Sequence, residues 1–105
     1  MLELNESNFV ESTSDGLVLV DFYTPWCGPC RLVAPVLEQL DAEDTGCKIV
    51  KVDASTNGEL AVEYNVTGVP CLVFLKDGVE VDRFLGLQSK ETLQKKIEEL
   101  KTALA

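Results

Sequence analysis

Apolar and polar positions alternate between two periods along this chain, and the period switches at turn-forming residues. Residues 1–4 predict a short strand, and Asn5 is placed to cap a short helix running to about Ser12. Residues 17–23 are aliphatic and β-branched and apolar on both faces, the pattern of a central buried strand. From about Cys27 to Glu43, the residues Val33, Val36, Leu37 and Leu40 recur at helical spacing and make one apolar face. Pro35 lies inside that segment and predicts a kink. Residues 48–53 predict another strand, and Asn57 a cap for a short helix over 58–64. A strand over 71–75 leads through the tight turn Lys76-Asp77-Gly78 into a strand over 79–85, which Gly86 ends. Ser89 is placed to cap a last helix with a stripe of Leu93, Ile97, Leu100 and Leu104.

The predicted order is β-α-β-α-β-α-β-β-α. Strands joined through helices require right-handed parallel crossovers, and the Asp-Gly hairpin adds an antiparallel pair. The fold class is therefore α/β: a mixed central sheet of about five strands with helices packed on both faces. The last stripe is little longer than a heptad, so it reads as core packing and not as a coiled coil. No repeat, low-complexity segment or linker divides the chain, and 105 residues make one domain, 1–105.

Composition narrows the function. A chain of this length buries roughly two-thirds of its unfolded surface, enough for a core without metal or disulfide staples. Hydrophobic residues at 46% and charged residues at 26% exclude a disordered chain. The net charge of −9 repels phosphate backbones and anionic lipid, which argues against nucleic acid and membrane as partners. The absence of histidine removes the commonest general base and neutral metal ligand. The first residues have neither the basic nor the apolar region of a secretory signal. Four cysteines in a chain that can build its own core point to a reducing compartment, and the expected location is cytoplasmic.

Trp26-Cys27-Gly28-Pro29-Cys30 falls between the central strand and the long helix. Two thiols separated by two residues on a first helical turn are close enough to bond. The first also sits among unpaired backbone N–H groups at the positive end of a helix dipole, which favours thiolate, the nucleophile of thiol–disulfide exchange. Pro29 fixes φ in that turn and removes a donor that would have no partner there. A Cys-x-x-Cys in a βαβ setting is a redox signature. Zinc would need four ligands, whereas Cys47 and Cys71 are isolated and no histidine is present, so no metal site is expected. Cys47 and Cys71 themselves read as small packed residues. Asp21 interrupts an otherwise apolar strand, where an unpaired carboxylate is costly. It is either a functional acid or a strand end tipping into solvent.

The run from Val20 through Asp21, Phe22, Tyr23, Thr24, Pro25, Trp26, Cys27, Gly28, Pro29, Cys30 and Arg31, followed by Ala34-Pro35, resembles the active site of the thioredoxin family. Val66-Thr67-Gly68-Val69-Pro70-Cys71, Lys76-Asp77-Gly78 and Gly86 follow in the family's order and spacing, so the resemblance covers essentially the whole chain. It implies a thioredoxin fold and a protein disulfide reductase, a thiol–disulfide oxidoreductase without bound cofactor that a thioredoxin reductase re-reduces. In that reading Cys27 attacks a client disulfide and Cys30 resolves the mixed disulfide. Asp21 is the buried acid beneath the pair, with Lys51 on the neighbouring strand as its charge partner. Val69-Pro70 is a cis peptide bond. Trp26, Gly28, Pro29, Gly68, Val69, Pro70 and Gly86 form the apolar patch that docks extended segments of disulfide-containing client proteins. The expected state is a monomer. Tyr23 stands where the family often has a second Trp, and Cys71 where Thr is usual; a regulatory disulfide at Cys71 is the alternative to packing. Two other classes remain open: an oxidase or isomerase, and a non-catalytic binding subunit that uses the same patch.

Overall fold

The computed structural model describes residues 1–103. It contains β1 (Leu2–Leu4), α1 (Phe9–Thr13), β2 (Leu17–Tyr23), α2 (Gly28–Ala42), β3 (Lys48–Asp53), α3 (Gly58–Glu63), β4 (Cys71–Lys76), β5 (Val79–Leu85) and α4 (Lys90–Ala103). The expected element order is observed. Leu104, the last member of the predicted stripe, lies outside the described residues.

The five strands form one sheet in the order β1-β3-β2-β4-β5. β3 runs parallel to both β1 and β2, whereas β4 is antiparallel to β2 as well as to β5. The sequence accounts for antiparallel pairing only at the hairpin. The other reversal belongs to the tertiary structure: β4 begins at the end of the sheet where β3 finishes, and runs back along β2. At the hairpin, Asp77 and Gly78 both take positive φ, 50° and 85°, as the two central residues of a type I′ turn must.

Alternate residues of β2 serve opposite faces. Leu17 and Leu19 pack with Val33, Leu37 and Leu40 of α2 and Leu93, Ile97 and Leu100 of α4. Val18, Val20 and Phe22 pack with Phe9 of α1 and Leu60 of α3. Each such fully buried aliphatic side chain contributes about 1.5–3 kcal/mol. By this alternation Asp21 shares the face of Leu17 and Leu19, beneath α2, which is what brings a strand acid to a helix cysteine.

Two local expectations, both caps, resolve differently. Asn5 does not cap α1: that position belongs to Asn8, while Asn5 Oδ1 accepts from the Ser7 N–H at 2.9 Å in a turn ahead of the helix. Asn57 is the N-cap residue of α3, but its Oδ1 accepts from the Glu6 N–H at 3.1 Å. Glu6 returns the bond, its carboxylate accepting from the Glu59 N–H at 2.9 Å, so α3 is capped from the loop after β1. α2 continues through Pro35 as one helix of 15 residues. Ser89 caps α4 as expected, its hydroxyl accepting from the Thr92 N–H at 3.1 Å.

Cys47 and Cys71 are both buried free thiols. Burial pushes the Cys47 thiol up to about 12 and raises Cys71, so neither is a ready nucleophile at neutral pH. A Cys47→Ala/Cys71→Thr variant is therefore expected to keep the turnover that the resemblance implies within about twofold of the parent; a large loss, or an oxidised form containing a Cys71 disulfide, would assign these thiols a redox role.

Candidate active site

β2 ends at Tyr23, and the chain turns through Thr24, Pro25 and Trp26 before α2 begins. The Cys27 N–H donates to the Thr24 carbonyl at 3.3 Å, and the Arg31 guanidinium donates to the Pro25 carbonyl at 2.9 Å, tying this loop to the helix it precedes. Cys27 is the N-cap of α2, in extended backbone conformation. Its sulfur occupies the place of a capping oxygen and accepts from the Cys30 N–H at 3.2 Å. Negative charge on this sulfur is held by that donor and by the helix dipole. Pro29 falls in the first turn, where a missing N–H costs nothing.

Cys27 and Cys30 are joined as a disulfide with their Cα atoms 5.2 Å apart. The two sulfurs are not equivalent. Cys30 is only 4% exposed, while Cys27 is half-buried with exposed residues on both sides. In the dithiol form brief iodoacetamide treatment near neutral pH is expected to label Cys27 first, as read by mass spectrometry; preferential labelling of Cys30 would invert the assignment.

A second segment closes on the pair. The Val69–Pro70 bond is cis, and the Val69 carbonyl oxygen lies 3.7 Å from Cys27 Sγ. The Gly86 N–H donates to the Pro70 carbonyl at 2.8 Å, which draws the end of β5 against this loop; Gly86 has a φ of 93°, open to few other residues. Trp26, at 71% exposure, with Gly28 and Pro29, is presented to solvent, Gly68, Val69 and Gly86 are half-buried, and Pro70 is buried. Pro70 is thus the buried member of the expected docking patch. Leu85, at 62% exposure, carries Cδ1 to 3.6 Å from where a β-carbon on Gly68 would stand. Its exposed position on an edge strand gives no sequence signal of a place beside Gly68.

Beneath the disulfide a cavity of about 150 Å³ is lined by Met1, Asp21, Tyr23, Thr24, Pro25, Cys30, Arg31, Ala34 and Lys51. It holds several waters' worth of space and joins Cys30 to Asp21. Asp21 is 2% exposed, and its Oδ1 has no hydrogen-bond partner among the described residues. Burial raises its carboxyl to about 7, and the charge of Lys51 offsets only part of that. Strand tipping into solvent is thereby excluded. Lys51 is the cross-strand neighbour of Asp21, as its expected role requires, and lines the same cavity. No Asp21–Lys51 ion pair within 4 Å forms among the described residues, however, and the ammonium stands 5.7 Å from the centroid of the Tyr23 ring. Arg31 and Tyr23 line the same cavity and were not among the expected site residues, although both stand inside the run of residues that carries the resemblance.

Comparison with known proteins agrees with this geometry. The family profile for thioredoxin matches residues 1–99. The chain is 46% identical over 95 residues to thioredoxin of Bacillus subtilis, covering 90% of this chain and 91% of that one. It is 45% identical over 94 residues to thioredoxin of Chlamydia trachomatis, covering 90% and 92%. Among solved structures, a thioredoxin of Plasmodium falciparum superposes with a TM-score of 0.87 at 32% identity, over 94% of this chain and 98% of that one. A mutant thioredoxin from Halobacterium salinarum gives 0.86 at 39% identity, over 93% and 88%. With an N-capping cysteine joined to a buried one, an apolar loop closing on the pair and relatives matched over nearly their full length, this chain belongs to the thioredoxin family and is a thiol–disulfide oxidoreductase.

Proposed function

We propose that this protein reduces disulfides in other proteins, acting as a cytoplasmic monomer that draws its electrons from a thioredoxin reductase. The observation that carries the proposed mechanism is the shared cavity of Cys30 and the unpartnered Asp21 oxygen directly behind the disulfide. In the dithiol form the Cys27 thiolate attacks one sulfur of a client disulfide. That S–S bond breaks, the other client sulfur leaves as thiolate, and a mixed disulfide joins Cys27 to the client. Cys30 then gives its proton to Asp21, through water in the cavity. The Cys30 thiolate attacks Cys27 Sγ, and the second client thiolate leaves and takes up a proton. Two electrons have passed from the dithiol to the client.

An Asp21 carboxyl near 7 suits this step, since a base works best with a pKa near the working pH. Trp26, Gly28, Pro29, Gly68, Val69 and Gly86, with Pro70 supporting them from behind, form the proposed docking surface. Glycines there let a client backbone approach closely. In the same reading no bound cofactor is needed, because both electrons reside on the two sulfurs. No helix among the described residues is long and apolar enough to cross a membrane.

Insulin reduction coupled to NADPH and a thioredoxin reductase tests the direction of transfer and the partner together. The expected result is steady NADPH consumption, with a dithiol potential near the thioredoxin value of about −270 mV. A potential near the isomerase value of about −180 mV, with no coupling to the reductase, would make the chain an isomerase or oxidase instead.

A further inference from the structure

Lys51 on β3 has an acid in register on either side, Glu3 of β1 and Asp21 of β2. A flexible ammonium one strand away from a buried carboxylate oxygen with no partner is expected to pair with it. It does not do so here. Lys51 Nζ lies over the Tyr23 ring, 5.7 Å from its centroid, within the range of cation–π attraction. The Tyr23 hydroxyl in turn donates to Glu3 Oε2, which fixes the ring and places a carboxylate beside it. Tyr23 remains a donor at all ordinary pH, because burial, followed by its bond to Glu3, raises the phenol further above its usual range.

We propose that the Tyr23–Glu3 pair is a seat for the Lys51 ammonium, holding the cation at the rim of the cavity and off the Asp21 oxygen that receives the Cys30 proton. Its consequence for catalysis rests on the reading of Asp21 given above; the seat itself does not. Tyr23 and Glu3 are positioning residues in this scheme and touch no reacting atom. The other groups facing Asp21 do not substitute for Lys51. From α2 come Cys30 and Arg31, and Arg31 is committed to the Pro25 carbonyl. The amine of Met1 is paired with Asp41 at 3.4 Å. From β4, Cys71 lies close enough to feel the charge of Asp21 but contributes no cation. Lys51 is therefore the cation whose position decides whether Asp21 is free or paired.

The test is a ¹³C NMR titration of the Asp21 carboxyl in the oxidised protein, where neither Cys27 nor Cys30 titrates. Tyr23→Leu removes ring and hydroxyl and releases Lys51 toward Asp21. The Asp21 midpoint is expected to fall by about one pH unit, as for a carboxylate gaining a cation partner. Tyr23→Phe and Glu3→Gln keep the ring and are expected to give smaller shifts in the same direction, and they serve should Tyr23→Leu not fold. In a Lys51→Met background all three shifts should vanish, because the effect runs through the lysine. Unchanged midpoints, or shifts of equal size without Lys51, would overturn the seat, the second by showing that Tyr23 acts by excluding water. If the midpoint moves as expected while the pH profile of mixed-disulfide resolution stays fixed, the seat stands and Asp21 is not the proton acceptor.

Discussion

Asp21→Asn is expected to make the protein more stable at pH 8.5 and slower at its chemistry. The folded carboxyl titrates at about 7, against an ordinary value of 3.8, because burial disfavours its charged form. The folded state therefore holds this proton more tightly than the unfolded state. The stability that comes with it is fully present below about pH 4 and is lost as pH rises through about 7. At about 1.4 kcal/mol per pH unit between the two values, the loss is on the order of 4 kcal/mol once Asp21 is ionised. Asparagine keeps the shape and carries no charge, so the variant should match the parent at pH 4, exceed it increasingly as pH rises from there to about 7, and hold that margin above. Removing the proposed proton acceptor should slow resolution of the mixed disulfide about 10²-fold at neutral pH, the lower range for losing a general base. Denaturant melts at pH 4 and 8.5, with single-turnover resolution kinetics, check both halves. A variant less stable at pH 8.5 that turns over normally would make Asp21 a satisfied structural residue.

Cys27→Ser and Cys30→Ser should both lose turnover, but leave different products. In the proposed mechanism the half-buried Cys27 meets the client, and the 4%-exposed Cys30 meets only Cys27. Cys30→Ser can still attack and cannot resolve, so it should accumulate a covalent adduct with insulin that dithiothreitol releases. Cys27→Ser should accumulate none, since Cys30 lies below the surface. Turnover in each variant should fall at least 10³-fold, to the level of the uncatalysed exchange, because two thiols acting in sequence fail together. Non-reducing electrophoresis and intact mass read the adduct. An adduct on Cys27→Ser but not on Cys30→Ser would exchange the two roles.

Much of this protein could be read from residue order. The apolar run of β2, the helical stripe of α2 and the Asp-Gly turn each announce themselves because backbone period and local φ are properties of neighbouring residues. The redox pair is legible for the same reason: Cys27 and Cys30 are brought together by one helical turn. The caps were less legible. Asn5 and Asn57 are cap-forming residues in cap-like places, yet one bonds within a preceding turn and the other reaches the loop after β1.

What sequence by itself determined is therefore the chemistry and the elements that carry it: a dithiol at a helix start, an acid in a buried strand and a mixed α/β order. Only the tertiary structure decided how distant segments meet. β4 came to lie antiparallel to β2, and the alternation of β2 put Asp21 on the face beneath Cys30. Whether Lys51 pairs with Asp21 could not be read from their register. Register places Cα atoms, and a lysine chain long enough to reach either side was claimed by the ring of Tyr23 and the neighbouring Glu3 carboxylate. Side-chain position is settled by competition among all the partners in reach, and here those partners come from two strands other than the lysine's own.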